Sequence, residues 1–144
     1  MSLADPTSKM SKSDENENAY IAMLDDRDTI IRKFKRAVTD SDSEVVYREG
    51  KEGVNNLLTI YSAVTGRSIS DVEKEFADKG YGDFKTAVGE AVADCLSPVQ
   101  NEYNRLTTDK EYVESIYKKG AEHASLVANK TLRKVQKKIG FVAL

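Results

Sequence analysis

Lys9, Met10, Ser11, Lys12 and Ser13 place two lysines three residues apart among small hydroxyls, and Asp14, Glu15 and Glu17 follow at once. That pattern suits an anion. Each lysine brings an ammonium point charge on a long flexible stem. Serine hydroxyls donate to phosphate oxygens and leave room for a close backbone approach. An ammonium placed where negative charge builds during a reaction stabilises the transition state more than the ground state. The bland alternative is a solvated Lys/Ser tail, which loops of this composition commonly are. Five residues by themselves do not decide between the two.

A second constellation lies near the other end of the chain. Between Lys118 and Lys138 stand seven basic residues (Lys118, Lys119, Lys130, Arg133, Lys134, Lys137, Lys138) against one acid, Glu122. At helical spacing Lys130, Arg133, Lys134 and Lys137 cluster on one side, away from Val127, Thr131, Val135 and Ile139. Such a stripe on an otherwise acidic chain is the electrostatic footprint of a nucleic-acid backbone contact. Cations also suit the negative end of a helix dipole, so a solvated face is the competing reading.

Other reactive side chains carry less. Cys95 falls at an apolar helical position with no basic neighbour to lower its pKa, and reads as core. His123, the one histidine, has no second ligand at metal spacing and reads as a surface or partly buried residue. Tyr103, Tyr112 and Tyr117 could stack on unpaired bases, although aromatic residues at helical spacing are more often core. The acidic run Asp14 to Glu17 lacks a calcium-loop pattern. No metal site is read from the sequence.

The elements that must position these groups are helical. The chain has 144 residues, 40% hydrophobic and 32% charged, with 2 prolines and a formal net charge of −2. That is room for one well-packed domain, and it excludes a polybasic nucleic-acid coat. With one cysteine an internal disulfide is excluded, so the chain reads as cytoplasmic. No apolar run has membrane-spanning length, and the first residues lack the apolar stretch expected of a signal peptide.

Residues 1–18 read as loop, and residues 19–24 could form a short extended segment. Ile30, Ile31, Phe34, Ala37 and Val38 predict a helix from about Asp28 to Val38. Only Val45 to Tyr47 looks strand-like in the polar connection that follows. Val54, Leu57, Leu58, Tyr61 and Val64 mark a second helix closed by Gly66. Ser70 and Glu73 suggest a capping box opening a short third helix that ends near Gly80. A fourth helix spans about Asp83 to Leu106, with a kink expected near Asp94 because Pro98 lies inside it. A last helix runs from about Lys110 to Lys138. The fold class is mainly α: a small bundle of about five helices behind a mobile loop.

KMSKS is the second signature of class I aminoacyl-tRNA synthetases, and the string MSLADPTSKMSKSD resembles its surroundings in bacterial tryptophanyl-tRNA synthetases. AVTDSD (Ala37 to Asp42), GVNNLLTIYSAVTG (Gly53 to Gly66), KGYGDFK (Lys79 to Lys85) and GAEHASLVANKTLRKV (Gly120 to Val135) extend the resemblance in the same order to about Phe141. Such an enzyme also needs a nucleotide-binding domain with a HIGH-type first signature. Neither is found here, and only eight residues precede Lys9. The resemblance therefore implies the C-terminal portion of a larger enzyme, with residues 1–18 as the catalytic loop and its flanks and residues 19–144 as a helical tRNA-binding region.

The same resemblance implies the chemistry. The enzyme activates L-tryptophan with ATP, accompanied by Mg2+, to tryptophanyl-adenylate, and passes tryptophan to tRNA(Trp); it acts as a homodimer. Lys12 is the lysine that reaches the phosphates, with Lys9 beside it, and Met10, Ser11 and Ser13 complete the ATP loop, Met10 as an anchor. Lys130, Arg133, Lys134 and Lys137 are candidates for tRNA contact. The isolated segment is expected to be inactive. Two other classes stay open: a stand-alone helical RNA-binding module, and a helical protein-interaction domain. An upstream reading frame with a HIGH-like motif excludes the first, and burial of the basic stripe against another chain favours the second.

Overall fold

The computed structural model describes residues 1–141. Five helices occur among them: α1 (Arg27–Lys35), α2 (Glu52–Thr65), α3 (Ile69–Phe76), α4 (Tyr81–Thr108) and α5 (Lys110–Lys138). A 3-10 turn, Glu17–Ala19, precedes α1, and the described residues contain no strand. The chain divides into two compact units, Met1–Gln100 and Asn101–Leu144.

The first unit is built on apolar faces at helical spacing. In α2, Val54, Leu57, Leu58 and Tyr61 are buried, and Gly66 closes the helix with φ 70°, its nitrogen donating to the Ser62 carbonyl at 2.9 Å. Ile30 and Phe34 of α1, Val72 and Phe76 of α3, and Phe84 and Val88 of α4 complete the core. Phe76 meets Tyr61 edge-on at 5.9 Å and Phe84 at 5.1 Å between ring centroids, the geometry aromatic quadrupoles favour. Gly89 lets α4 close on α1, since a Cβ there would fall 2.8 Å from the Ile31 Cα.

Several sequence expectations shift. α1 starts earlier than expected because Asp26 caps it, accepting from the Thr29 nitrogen at 2.7 Å. It ends at Lys35, and the Val38 nitrogen donates instead to the Leu3 carbonyl at 2.8 Å. The cap of α3 is Ser68 rather than Ser70; the Ser68 hydroxyl accepts from Asp71 at 3.2 Å. Residues 19–24 form no strand: Ala19 ends the 3-10 turn, Tyr20 has extended backbone at φ −141° and ψ 159°, and Met23 and Leu24 lie in a turn. Val45 is buried although its segment is not a strand, and the neighbouring Tyr47 nitrogen donates to a Glu73 carboxylate oxygen at 2.6 Å. α4 stays helical through Pro98 as far as Thr108. Cys95 is exposed, not core.

The second unit contains the end of α4 and all of α5. Asp109 caps α5 by accepting from the Tyr112 nitrogen at 3.0 Å. No residue of α5 is buried, so the apolar face expected of the last helix, Val127, Val135 and Ile139 included, is exposed. Tyr103, Tyr112 and Tyr117 are likewise exposed rather than core.

Candidate functional site

Lys9 to Ser13 leave the core at a fixed root. Ser2 and Leu3 are buried and grip the chain on both sides of the lysines. The Ser2 nitrogen donates to the Ser8 carbonyl at 2.9 Å, and the Leu3 nitrogen to the Ala19 carbonyl at 2.9 Å. The Asp5 carboxylate closes the turn before Lys9, accepting from the Thr7 and Ser8 hydroxyls at 2.6 Å each; these bonds, Ser8 first, hold it below the usual carboxylate range. Met10 packs against the hydrophobic core, as an anchoring residue would. Lys9, Ser11, Lys12 and Ser13 are exposed, and Ser11 shapes the bend by accepting from the Ser13 nitrogen at 3.2 Å. The segment is a pinned loop that presents two cations to solvent.

The first unit also holds a polar network centred on Lys51. Lys51 is buried, with Nζ 2.7 Å from the Tyr81 hydroxyl, 3.0 Å from an Asp42 oxygen and 3.4 Å from an Asp40 oxygen. Tyr81 in turn donates to Asp40 at 2.8 Å. Burial alone would depress the Lys51 ammonium; Tyr81, Asp42 and Asp40 outweigh it and hold its pKa above the ordinary lysine value. Lys85 has the opposite balance: burial lowers its pKa, while its Nζ donates to the Ala37 carbonyl at 2.8 Å. A lysine in a polar run beside glycine gives no sequence signal of burial.

In α5, Lys130, Arg133, Lys134 and Lys137 are all exposed. Lys118 is instead paired with Glu114 at 2.6 Å. His123 is exposed, and no group of three or more His, Cys, Asp or Glu side chains among the described residues could hold a metal. An apolar groove of about 610 Å³ is lined by Tyr103, Leu106, Thr107, Lys110, Val113, Glu114 and Tyr117, none of them a loop residue. Among the described residues no helix is long and apolar enough to cross a membrane.

Residues 1–97 match the family model described as tRNA synthetases class I (W and Y). The chain belongs to that family. Among its relatives, a tryptophan–tRNA ligase of Clostridium tetani is 48% identical over 142 residues, covering 99% of this chain and 42% of its own length. Another, from Oceanobacillus iheyensis, is 50% identical over 141 residues, covering 97% and 43%. A solved tryptophanyl-tRNA synthetase from Mycoplasma pneumoniae superposes with TM-score 0.71 at 30% identity, over 99% of this chain and 45% of that one. This class I synthetase chain therefore spans less than half the length of the curated relatives it matches, and its mainly helical fold is that of the matched part of the solved synthetase.

Proposed function

We propose that this chain is the part of a tryptophan–tRNA ligase that carries the ATP loop and a helical tRNA-binding region. One observation carries the reading. Lys9 and Lys12 are exposed on a loop pinned at both ends, in a chain about half identical to tryptophan–tRNA ligases along nearly its whole length.

In the complete enzyme the tryptophan carboxylate attacks the α-phosphorus of ATP, the bond to the bridging oxygen breaks, and pyrophosphate leaves with the electron pair. Charge builds on that leaving group, where the Lys12 ammonium, with Lys9 beside it, lowers the barrier. Ser11 and Ser13 donate to phosphate oxygens. Transfer of tryptophan to the tRNA(Trp) 3′ end follows. Mg2+ does not fit a site of this chain, given the absence of a carboxylate or histidine cluster among the described residues; in this reading it travels with the nucleotide. The segment alone lacks groups to position adenine or tryptophan and is inactive. The complete ligase is cytoplasmic and homodimeric.

Lys130, Arg133, Lys134 and Lys137 bind tRNA phosphates in this account, supported by their exposure on one helix. The loop assignment is tested by the rate of adenylate formation in a full-length ligase carrying Lys12→Ala: a large loss of rate is expected, and a wild-type rate overturns it.

A further inference from the structure

The buried face of α2 is apolar except at one place. Asn56 sits among Val54, Leu57 and Leu58, all buried, and is only 9% exposed itself. A buried amide in such a setting needs partners, and here they all belong to the root of the loop. Asn56 Nδ2 donates to the Ser2 carbonyl at 3.2 Å and to the Met1 carbonyl at 3.3 Å. Its Oδ1 accepts from the Met1 nitrogen at 3.0 Å.

Ser2 then passes that fixed position to the loop. Its nitrogen holds the carbonyl of Ser8, the residue before Lys9. Its hydroxyl donates to the Ala19 carbonyl at 3.3 Å and accepts from the Ala4 and Asp5 nitrogens at 3.2 and 3.3 Å. Both ends of the stretch from Ser8 to Ala19 are therefore referred, through one serine, to one asparagine of α2. Within α2 alone an apolar side chain would continue the face of Val54 and Leu58. Leucine, however, would strand two buried carbonyls, and aspartate would set a carboxylate against them.

We infer that Asn56 is a positioning residue for the adenylation step, setting where the lysines of the loop stand. This rests on the reading of Lys9 to Ser13 as the ATP loop. Displacing a catalytic group by about an ångström costs up to roughly a hundredfold in rate, so Asn56→Asp should slow adenylate formation by at least about tenfold, with the KM for tryptophan unchanged.

A double-mutant cycle in the full-length ligase separates placement from bulk stability. Adenylate formation is measured by rapid quench for wild type, Asn56→Asp, Lys12→Ala and the double variant, with thermal melts of each. If Asn56 acts through the loop, Lys12→Ala costs far less in the Asn56→Asp background than alone. Folded variants with additive losses, or a normal rate for Asn56→Asp beside a slow Lys12→Ala, overturn the inference and leave the loop reading intact. A normal rate for Lys12→Ala sinks the loop reading first. Asn56→Ala, which adds no charge, replaces the aspartate variant if that one fails to fold. Failure of both would make Asn56 a requirement of the fold, and the inference would fall.

Discussion

Lys51 and Tyr81 meet inside the first unit, the ammonium nitrogen 2.7 Å from the phenol oxygen. The contact joins the N-cap residue of α2 to the first residue of α4, and Asp40 and Asp42 bind the same ammonium. One buried cation thereby ties the connection after α1 to two helices.

Lys51→Met should destabilise the chain by about 2 kcal/mol. Removing the cation leaves the Asp40 carboxylate, whose Oδ2 is already buried without a partner, with the Tyr81 hydroxyl at 2.8 Å but no countercharge. Breaking a buried pair typically costs more, but Asp42 stays in contact with water and softens the loss. Urea unfolding of the two proteins reads the difference as a lower midpoint at unchanged slope.

The same network fixes a pH dependence. Burial would raise the Asp40 carboxyl, but Tyr81, the Asp42 amide and Lys51 outweigh it and hold it low; Lys51 and the Ser43 amide hold Asp42 low as well. A depressed carboxyl contributes stability that is present above its unfolded pKa, near 4, and is lost as pH falls through the folded value. The raised Lys51 works from the other side, its share complete below an unfolded pKa of about 10.4 and lost only at higher pH. The stability gap between wild type and Lys51→Met should therefore hold steady near neutrality and narrow as pH falls below about 4. Melts at a series of pH values check this.

Two glycines should respond in opposite directions. A Cβ on Gly53 would lie 2.1 Å from the Val38 carbonyl oxygen, a backbone atom that cannot step aside cheaply. Gly53→Ala should cost about 2 kcal/mol or more and disturb the Val38–Leu3 bond at the loop root. Gly120 stands within α5 with nothing near its Cβ position, so Gly120→Ala should stabilise that helix by up to about 1 kcal/mol. Thermal melts followed by circular dichroism compare both with wild type.

Helical period made most of this architecture readable. Val54, Leu57, Leu58 and Tyr61 repeat at the spacing of one buried face, and α2 lies where they place it. Boundaries were less legible where competing bonds decide them: Asp26 and Ser68 win the caps, and Val38 leaves α1 to pair with Leu3. The motif residues Lys9 to Ser13 were visible as chemistry, but their anchorage was not. It depends on Ser2 and Asn56, which meet across 54 positions of sequence. Periodicity misled at Cys95 and along α5, because an apolar stripe implies burial only where another surface covers it.

The basic stripe can be tested apart from the loop of Lys9 to Ser13. Replacing Lys130, Arg133, Lys134 and Lys137 together by Gln removes four positive charges while keeping good helix formers. Phosphate contacts position an RNA without reading its sequence. The variant should therefore bind cognate and non-cognate tRNA more weakly and show a flatter dependence of affinity on salt, with adenylate formation intact. Filter-binding titrations at several salt concentrations measure affinity and slope together. Values equal to wild type would make the stripe a solvated helix face.

The most direct measurement is pre-steady-state adenylate formation in the full-length ligase with Lys12→Ala. Loss of one transition-state electrostatic contact of this kind costs about a hundredfold to a thousandfold in rate. Tryptophan affinity, measured at equilibrium on the same protein, should stay nearly unchanged if the lysine acts, as proposed, on the leaving pyrophosphate. A rate reduced by that factor with tryptophan binding preserved is the predicted result; adenylate formation at the wild-type rate would contradict the account.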